Sequence, residues 1–371
     1  MNSKIKEYIR NNGRWLLVAA LGVAVFCYFW IKLPFLIAAR EQLQLFLWNS
    51  DYLMERLMIP GGFAQYLGEM IVQFFLNPLH GAIWYGVLFV VIQLLTFGAM
   101  GKPQKRLGFL LSMIPSFVLT YLWTQIHFPM TLTVAVLLAL AFANVVRVLS
   151  YRFQIAISVI LMIVGFWLIG PAIILAITPI IYIRKHLVSV VGLVLLLVAI
   201  IIMSARIAPY PLSQIARGVD YYWESEKLGD YEEMELDMQF RRNNVQPNML
   251  SNDDQANLML KSIPSAFMMS EVAMRAGMVN VAQRAAFEAM EAIPNYNKSA
   301  RALCRLVETN MITGQTEVAL KYIAILEQTT FYGGWAGKMK QMAENQQLLH
   351  NHKFYHRLKE YYENGEDVFF Y

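Results

Sequence analysis

Charge is scarce in this sequence. Asp, Glu, Lys and Arg supply 15% of its 371 residues, where an average soluble domain has about 25%. Cysteine is scarcer: only Cys27 and Cys304, one in an apolar run and one on an expected helix. That excludes a disulfide framework and a cysteine-built metal site. From residue 204 onward no stretch alternates like a strand over more than a few positions, which argues against a sheet. The interiors of the long apolar runs contain no Asp, Glu, Lys or Arg. Ion pumps and proton-coupled transporters need one there, so transport is disfavoured. Gln93 and Asn144 are the main polar intrusions and read as helix-to-helix hydrogen bonds.

What abounds is hydrophobicity, 57% of the chain. The basic excess is uneven. Residues 1–203 carry 14 Lys/Arg against 5 Asp/Glu, and residues 204–371 carry 17 against 21. The overall +5 is therefore a membrane-topology signal, and no nucleic-acid partner follows from it.

Leu187–Met203 marks the divide. Its seventeen residues are uncharged, and thirteen of them are Val, Leu or Ile. At about 1.5 Å per residue they reach about 25 Å, enough to cross most of a hydrocarbon core. Insertion is favoured by roughly 5 kcal/mol as an upper estimate. Pro209 and Pro211 follow. Six further spans are expected: Trp15–Ile31, Leu79–Ala99, Phe109–Trp123, Met130–Val146, Phe153–Ile169 and Ala172–Ile183. The last two are joined by a Gly170-Pro171 turn. Lys4, Lys6, Arg10 and Arg14 start the chain. Lys102, Lys105 and Arg106, then Arg147 and Arg152, then Arg184 and Lys185, fall in alternate connections. The positive-inside rule puts these in the cytoplasm. Seven crossings then place residues 204–371 on the other side, the periplasm of a bacterial inner (cytoplasmic) membrane.

The first outer connection, residues 40–78, is patterned. Arg40–Trp48 is amphipathic. Asn49-Ser50-Asp51 reads as a helix cap before Tyr52–Met58. After Pro60-Gly61-Gly62, Phe63–Leu76 is apolar but too short to cross, which suggests an interfacial or re-entrant segment. Gln65, Glu69 and Gln73 form one polar stripe on it.

Residues 204–371 read as helices. Gly277, Ala282, Ala289 and Pro294 have the spacing of a tetratricopeptide repeat: turn glycine, small contact residues, closing proline. Gly314, Ala319 and Leu326 repeat the first intervals. Gly229-Asp230-Tyr231 with Pro247 is a weaker copy. Each hairpin leaves an apolar face that only a neighbouring hairpin covers. The expected fold is all-α: a seven-span transmembrane bundle, residues 1–203, then a TPR-like helical domain, residues 204–371.

The runs MVNVAQRAAFEAMEAIPNYN and RLVETNMITGQTEVALKYIAILEQTTFYGGWA, with EQLQLFLWNSDYL and PGGFAQYLG of the outer loop, carry a resemblance. The chain resembles a family of uncharacterised multi-pass membrane proteins of Bacteroidetes-type bacteria, a domain of unknown function. That resemblance implies a membrane N-terminal half and a helical-repeat tail, and it carries over no catalytic residue. Relatives that continue past this region leave truncation at Val368-Phe369-Phe370-Tyr371 open.

Few groups point to chemistry. Glu41, Asp51, Glu55 and Glu69, four of the five acids in the membrane half, are the candidate catalytic set. The layout resembles the glycosyltransferases that use polyprenyl-phosphate sugars, where a loop carboxylate acts as base or holds a metal. A polyprenyl-linked substrate is the implied partner. This chain lacks their paired acidic motif and offers a lone Asp51. Such an enzyme needs a cavity lined by Asp51 or Glu69 together with Arg40 or Arg56. His350, His352 and His356 are candidate metal ligands, with a solvated helix as the ordinary reading. The acids from Glu224 to Asp237 read as a solvated face. Cys304 reads as a small core residue. No cofactor is called for. The leading expectation is a non-enzymatic protein whose partners are the lipid bilayer and an envelope protein or peptide. A glycosyl- or phospho-group transferase is the alternative.

Overall fold

The computed structural model describes residues 3–184, 186–207, 211–217, 225–243, 262–293 and 298–365. Lys185, Pro209, Glu224, Pro247, Pro294 and Val368–Tyr371 lie outside the described residues. Among the described residues every regular element is helical. The chain forms two compact units. One comprises Met1–Ile37 and Leu53–Tyr222, the other Ala38–Tyr52 and Trp223–Tyr371. The expected division at residue 203 assigned the whole outer loop to the membrane half, whereas Ala38–Tyr52 belongs to the second unit.

In the first unit, five helices are long and apolar enough to cross a membrane: Gly13–Lys32, Pro78–Ala99, Met130–Val148, Arg152–Ile183 and Leu187–Ile207. Arg106–Leu122 is apolar but shorter. It is interrupted at Met113, ahead of Pro115, which cannot donate to the helical ladder. The sequence count of seven arises by including that helix and dividing Arg152–Ile183 at Gly170.

The geometry at Gly170 explains the division. Its φ is +72° and ψ −162°, a backbone conformation open to glycine and costly for other residues. Beyond it the chain reverses. A Cβ placed on Gly165 would lie 2.6 Å from Ile173 Cδ1. Eight residues along a straight helix would separate them by about 12 Å. The bend is tied to the outer loop: the Gly61 amide donates to the Trp167 carbonyl at 2.8 Å, and Trp167 Nε1 donates to the Leu57 carbonyl at 2.9 Å.

Aromatic side chains fill this unit. Phe29, Tyr85 and Trp123 are fully buried. The Tyr85 ring lies 4.3 Å from Phe29 and 4.9 Å from Trp123. Trp123 Nε1 donates to Thr133 Oγ1 at 2.8 Å, so the one polar atom of that indole is satisfied. Leu187, Val188, Leu195, Met203 and Ile207 of the last long helix are exposed. An uninterrupted apolar outer face of this kind belongs in lipid.

The second unit is built from consecutive packed helices: Tyr231–Asn243, Ile263–Ala276, Val279–Glu291, Ala300–Ile312, Thr316–Leu326, Gly333–Glu344, Gln346–Asn351 and Lys353–Glu363. Ser262 starts the second of these with a capping box, and Ser299 caps Ala300–Ile312, satisfying amides that lack intrahelical partners. Gly277 ends a helix at φ +86°, the left-handed position that closes a tight turn. Ala282, Ala285, Ala286 and Ala289 are buried on the next helix. Their small size lets the helices approach until Ser270 Oγ donates to the Ala282 carbonyl at 2.9 Å.

Ala38–Tyr52 behaves as a strap of this unit. Helix Pro34–Gln42 ends, residues 44–48 run without helix, and Ser50–Leu57 begins a new one. Asn49 caps it by accepting from the Tyr52 amide at 2.6 Å, as the sequence suggests. Leu45 sits in the same apolar cluster as Leu303, Val307 and Ile323. The Trp48 amide donates to the Gln328 carbonyl at 3.1 Å, and Trp48 Nε1 donates to Thr330 Oγ1 at 2.6 Å.

Candidate functional site

The helices of the second unit leave a cavity of about 300 Å³. Its walls include Gln42 of the strap, Arg241, Phe267, Glu271, Arg301, Arg305, Glu308, Tyr332 and Trp335. Charged side chains reach it because they sit one turn apart on the same helix. Arg301, Arg305 and Glu308 do so on Ala300–Ile312, and Glu271 reaches it from Ile263–Ala276.

Most of these charges are matched. Arg301 binds Asp237 through two hydrogen bonds, 2.6 and 2.9 Å, and donates to Gln42 Oε1 at 3.1 Å. Its guanidinium also lies 4.5 Å from the centre of the Phe267 ring. Arg305 donates to Glu271 at 2.6 Å and to Glu308 at 2.8 Å. Arg275 pairs with Glu271 at 2.8 Å. The Tyr355 hydroxyl donates to Glu308 at 2.7 Å, and the Tyr332 hydroxyl donates to Glu41 at 2.8 Å. Fork-shaped guanidinium pairs of this kind fix geometry as well as charge.

The environment shifts several acids. Burial pushes the Glu41 carboxyl up to about 7, against the pull of the Tyr332 hydrogen bond and of Arg241. Burial also works to raise Glu271, but Arg305, Arg301 and Arg275 outweigh it and hold that carboxyl below its usual range. Burial and the nearby Glu308 push the Cys304 thiol up. A thiol so shifted supplies no thiolate near neutrality, in keeping with a core role.

The sequence candidates are dispersed. Asp51 and Glu55 are exposed on the short helix Ser50–Leu57. Glu41 is buried in the second unit and Glu69 in the first. Glu69 is engaged at both oxygens: Arg56 Nε donates to Oε2 and Arg56 Nη2 meets Oε1, each at 3.1 Å, while Gln65 Nε2 donates to Oε1 at 3.1 Å. The polar stripe seen in the sequence thus faces protein at Gln65 and Glu69. Gln73 turns back to the Met70 carbonyl at 2.9 Å. Among the three histidines, the His350 and His356 rings lie 4.0 Å apart, while His352 packs on Tyr355 at 4.5 Å. Among the described residues, no group of three or more His, Cys, Asp or Glu converges as a metal site.

A family of unknown function, DUF6057, has a model that matches residues 10–240 and 238–371. The chain belongs to the DUF6057 family. No curated protein and no solved structure matches it. The matched residues of this DUF6057 protein include both the Arg56–Glu69 pair and the cavity with its arginines. Sequence reasoning missed the cavity. The turn-by-turn spacing of Arg301, Arg305 and Glu308 was a legible signal for part of it. Nothing local marked Gln42 or Tyr332 as their neighbours.

Proposed function

We propose that this protein is a membrane-anchored interaction protein whose second unit, a TPR-like helical stack, binds a polypeptide segment at the periplasmic face of a bacterial inner membrane. The observation that carries this reading is the cavity with its paired arginines and the side chains of Phe267 and Trp335. Aromatic and arginine side chains are those most enriched where proteins bind one another. The order of helices, each packed on the next, supports a repeat stack.

A parity argument supports the orientation. Ala38–Tyr52 and Trp223–Tyr371 share one compact unit, so they share one side of the membrane. The crossings between them must be even in number. With Arg106–Leu122 crossing and Arg152–Ile183 divided by the reversal at Gly170, the count leaves six. That even number puts residues 223–371 opposite the N-terminus, which the positive residues assign to the cytoplasm. Reporter fusions test this: cytoplasmic after Lys105, periplasmic after Asp230.

A photo-crosslinking residue at Trp335, in the full chain in its native membrane, tests the binding. A discrete crosslinked polypeptide, absent when the residue is placed at exposed Glu317 instead, is the expected result. Crosslinks to lipid alone would overturn the reading.

The transferase alternative finds less support. Of its candidate carboxylates, Glu69 is bound by Arg56 and Gln65, while Asp51 and Glu55 are exposed and Glu41 belongs to the other unit.

A further inference from the structure

We infer that the cavity of the second unit is a receptor for a carboxylate group, held by Arg241, on a ligand whose apolar portion lies against Phe267 and Trp335. This rests on the interaction reading above and names the chemistry that such a partner presents.

Four guanidinium groups belong to the network: Arg241, Arg275, Arg301 and Arg305. Three of them meet carboxylates directly, at Asp237, Glu271 and Glu308. Arg241 lines the same cavity but its hydrogen bond goes to the Met238 sulfur at 3.8 Å, a weak acceptor. It acts on Glu41 through space, without a hydrogen bond or ion pair between them. Arg301 is a like charge beside it, and Asp237 and Glu41 act on it as opposite charges only through space. Arg241 lines the cavity and is itself exposed.

Buried and bonded to Tyr332, Glu41 holds its proton readily. The carboxylates of Asp237, Glu271 and Glu308 are taken by Arg275, Arg301 and Arg305, and Arg241 is the guanidinium of the cavity wall that meets none of them. A single carboxylate supplies that partner, and a guanidinium fork matches its two oxygens. The cavity's remaining wall is aromatic. Phe267 is buried with Arg301 against its ring, and Trp335 is half-buried. A volume of about 300 Å³ accommodates one or two amino-acid residues.

The test uses the full chain in detergent and two probes, N-acetyl-phenylalanine and its amide, with binding followed by calorimetry. The free acid is expected to bind at least about tenfold more tightly than the amide, a difference of about 1.4 kcal/mol. In Arg241→Gln that preference should vanish while the melting temperature stays unchanged. Inorganic phosphate is the competing anion. Phosphate binding more tightly than the acid would overturn the carboxylate assignment, as would equal binding of acid and amide. A Trp335 crosslink to a polypeptide that survives in Arg241→Gln, with no acid preference in the parent chain, would sink this inference and leave the interaction reading standing. Loss of the crosslink in the parent chain itself would sink the reading instead.

Discussion

The Tyr332 hydroxyl donates to the Glu41 carboxyl at 2.8 Å, across 291 positions of sequence. The contact ties the strap to the helix stack and leaves Glu41 only 4% exposed.

A pH dependence follows from it. The Glu41 carboxyl is raised from 4.5 to about 7 in the folded protein. An acid raised on folding favours the folded state while protonated. Its contribution is full below about pH 4.5, declines as pH rises toward 7, and is gone above that. Glu41→Gln keeps an acceptor for Tyr332 and removes the titration. Melting curves of the variant should lose the decline between pH 4.5 and 7, a difference on the order of 3 kcal/mol across that window. Parallel curves for the two proteins would contradict the assignment.

The strap completes the core of the second unit, so residues 223–371 alone should be less stable than the same residues joined to 38–52 by a flexible linker. Leu45→Ala in the joined protein should cost about 2–5 kcal/mol, the usual range for a buried leucine. Urea titrations followed by circular dichroism measure both. Equal midpoints with and without the strap would show that it is dispensable.

Glu69→Gln should destabilise the first unit. The change leaves the Arg56 cation in a buried site without its counter-charge, at a cost of about 3–5 kcal/mol. Replacing both residues with methionine removes the charge problem and should recover much of the loss. Thermal aggregation of the detergent-solubilised variants reads the order: parent, then double variant, then Glu69→Gln. A Glu69→Gln protein as stable as the parent would imply that Arg56 has another counter-ion.

Ala289→Asp places a carboxylate at a fully buried helix contact. The expected loss is several kcal/mol. Limited proteolysis should cut the variant within residues 262–293 at protease levels that leave the parent intact.

Local features were legible in the sequence. The Asn49 cap, the turn glycine at Gly277, the small contact residues Ala282 and Ala289, and the break at Gly170 each depend on a few neighbouring residues and on backbone preference. The polar stripe of Gln65 and Glu69 was legible as a stripe, but its partner was not. Arg56 lies thirteen positions away, across the Pro60-Gly61-Gly62 break, and no periodicity connects them. The allotment of Ala38–Tyr52 to the second unit was the largest departure. An amphipathic segment beside membrane spans has two apolar places to bury its face, lipid and protein, and composition is the same for both. The cavity arose from that same long-range pairing, since Gln42 and Tyr332 come together only when the strap closes on the stack.

The position of the strap also sets an order of events during synthesis. Residues 38–52 leave the ribosome about 300 residues before the last helix of the stack, Lys353–Glu363, which at about 5–20 residues per second is roughly 15–60 s. Throughout that interval Leu43, Leu45 and Phe46, all buried in the finished protein, have no helix stack to cover them. In the topology proposed above, the stack in turn closes its core only if the strap waits on the same side of the membrane. Any chain whose intervening helices insert an odd number of times separates the two permanently. Under that topology, folding of the second unit acts as a check on insertion of the first, and a mis-inserted chain is expected to show an open, protease-sensitive helix stack.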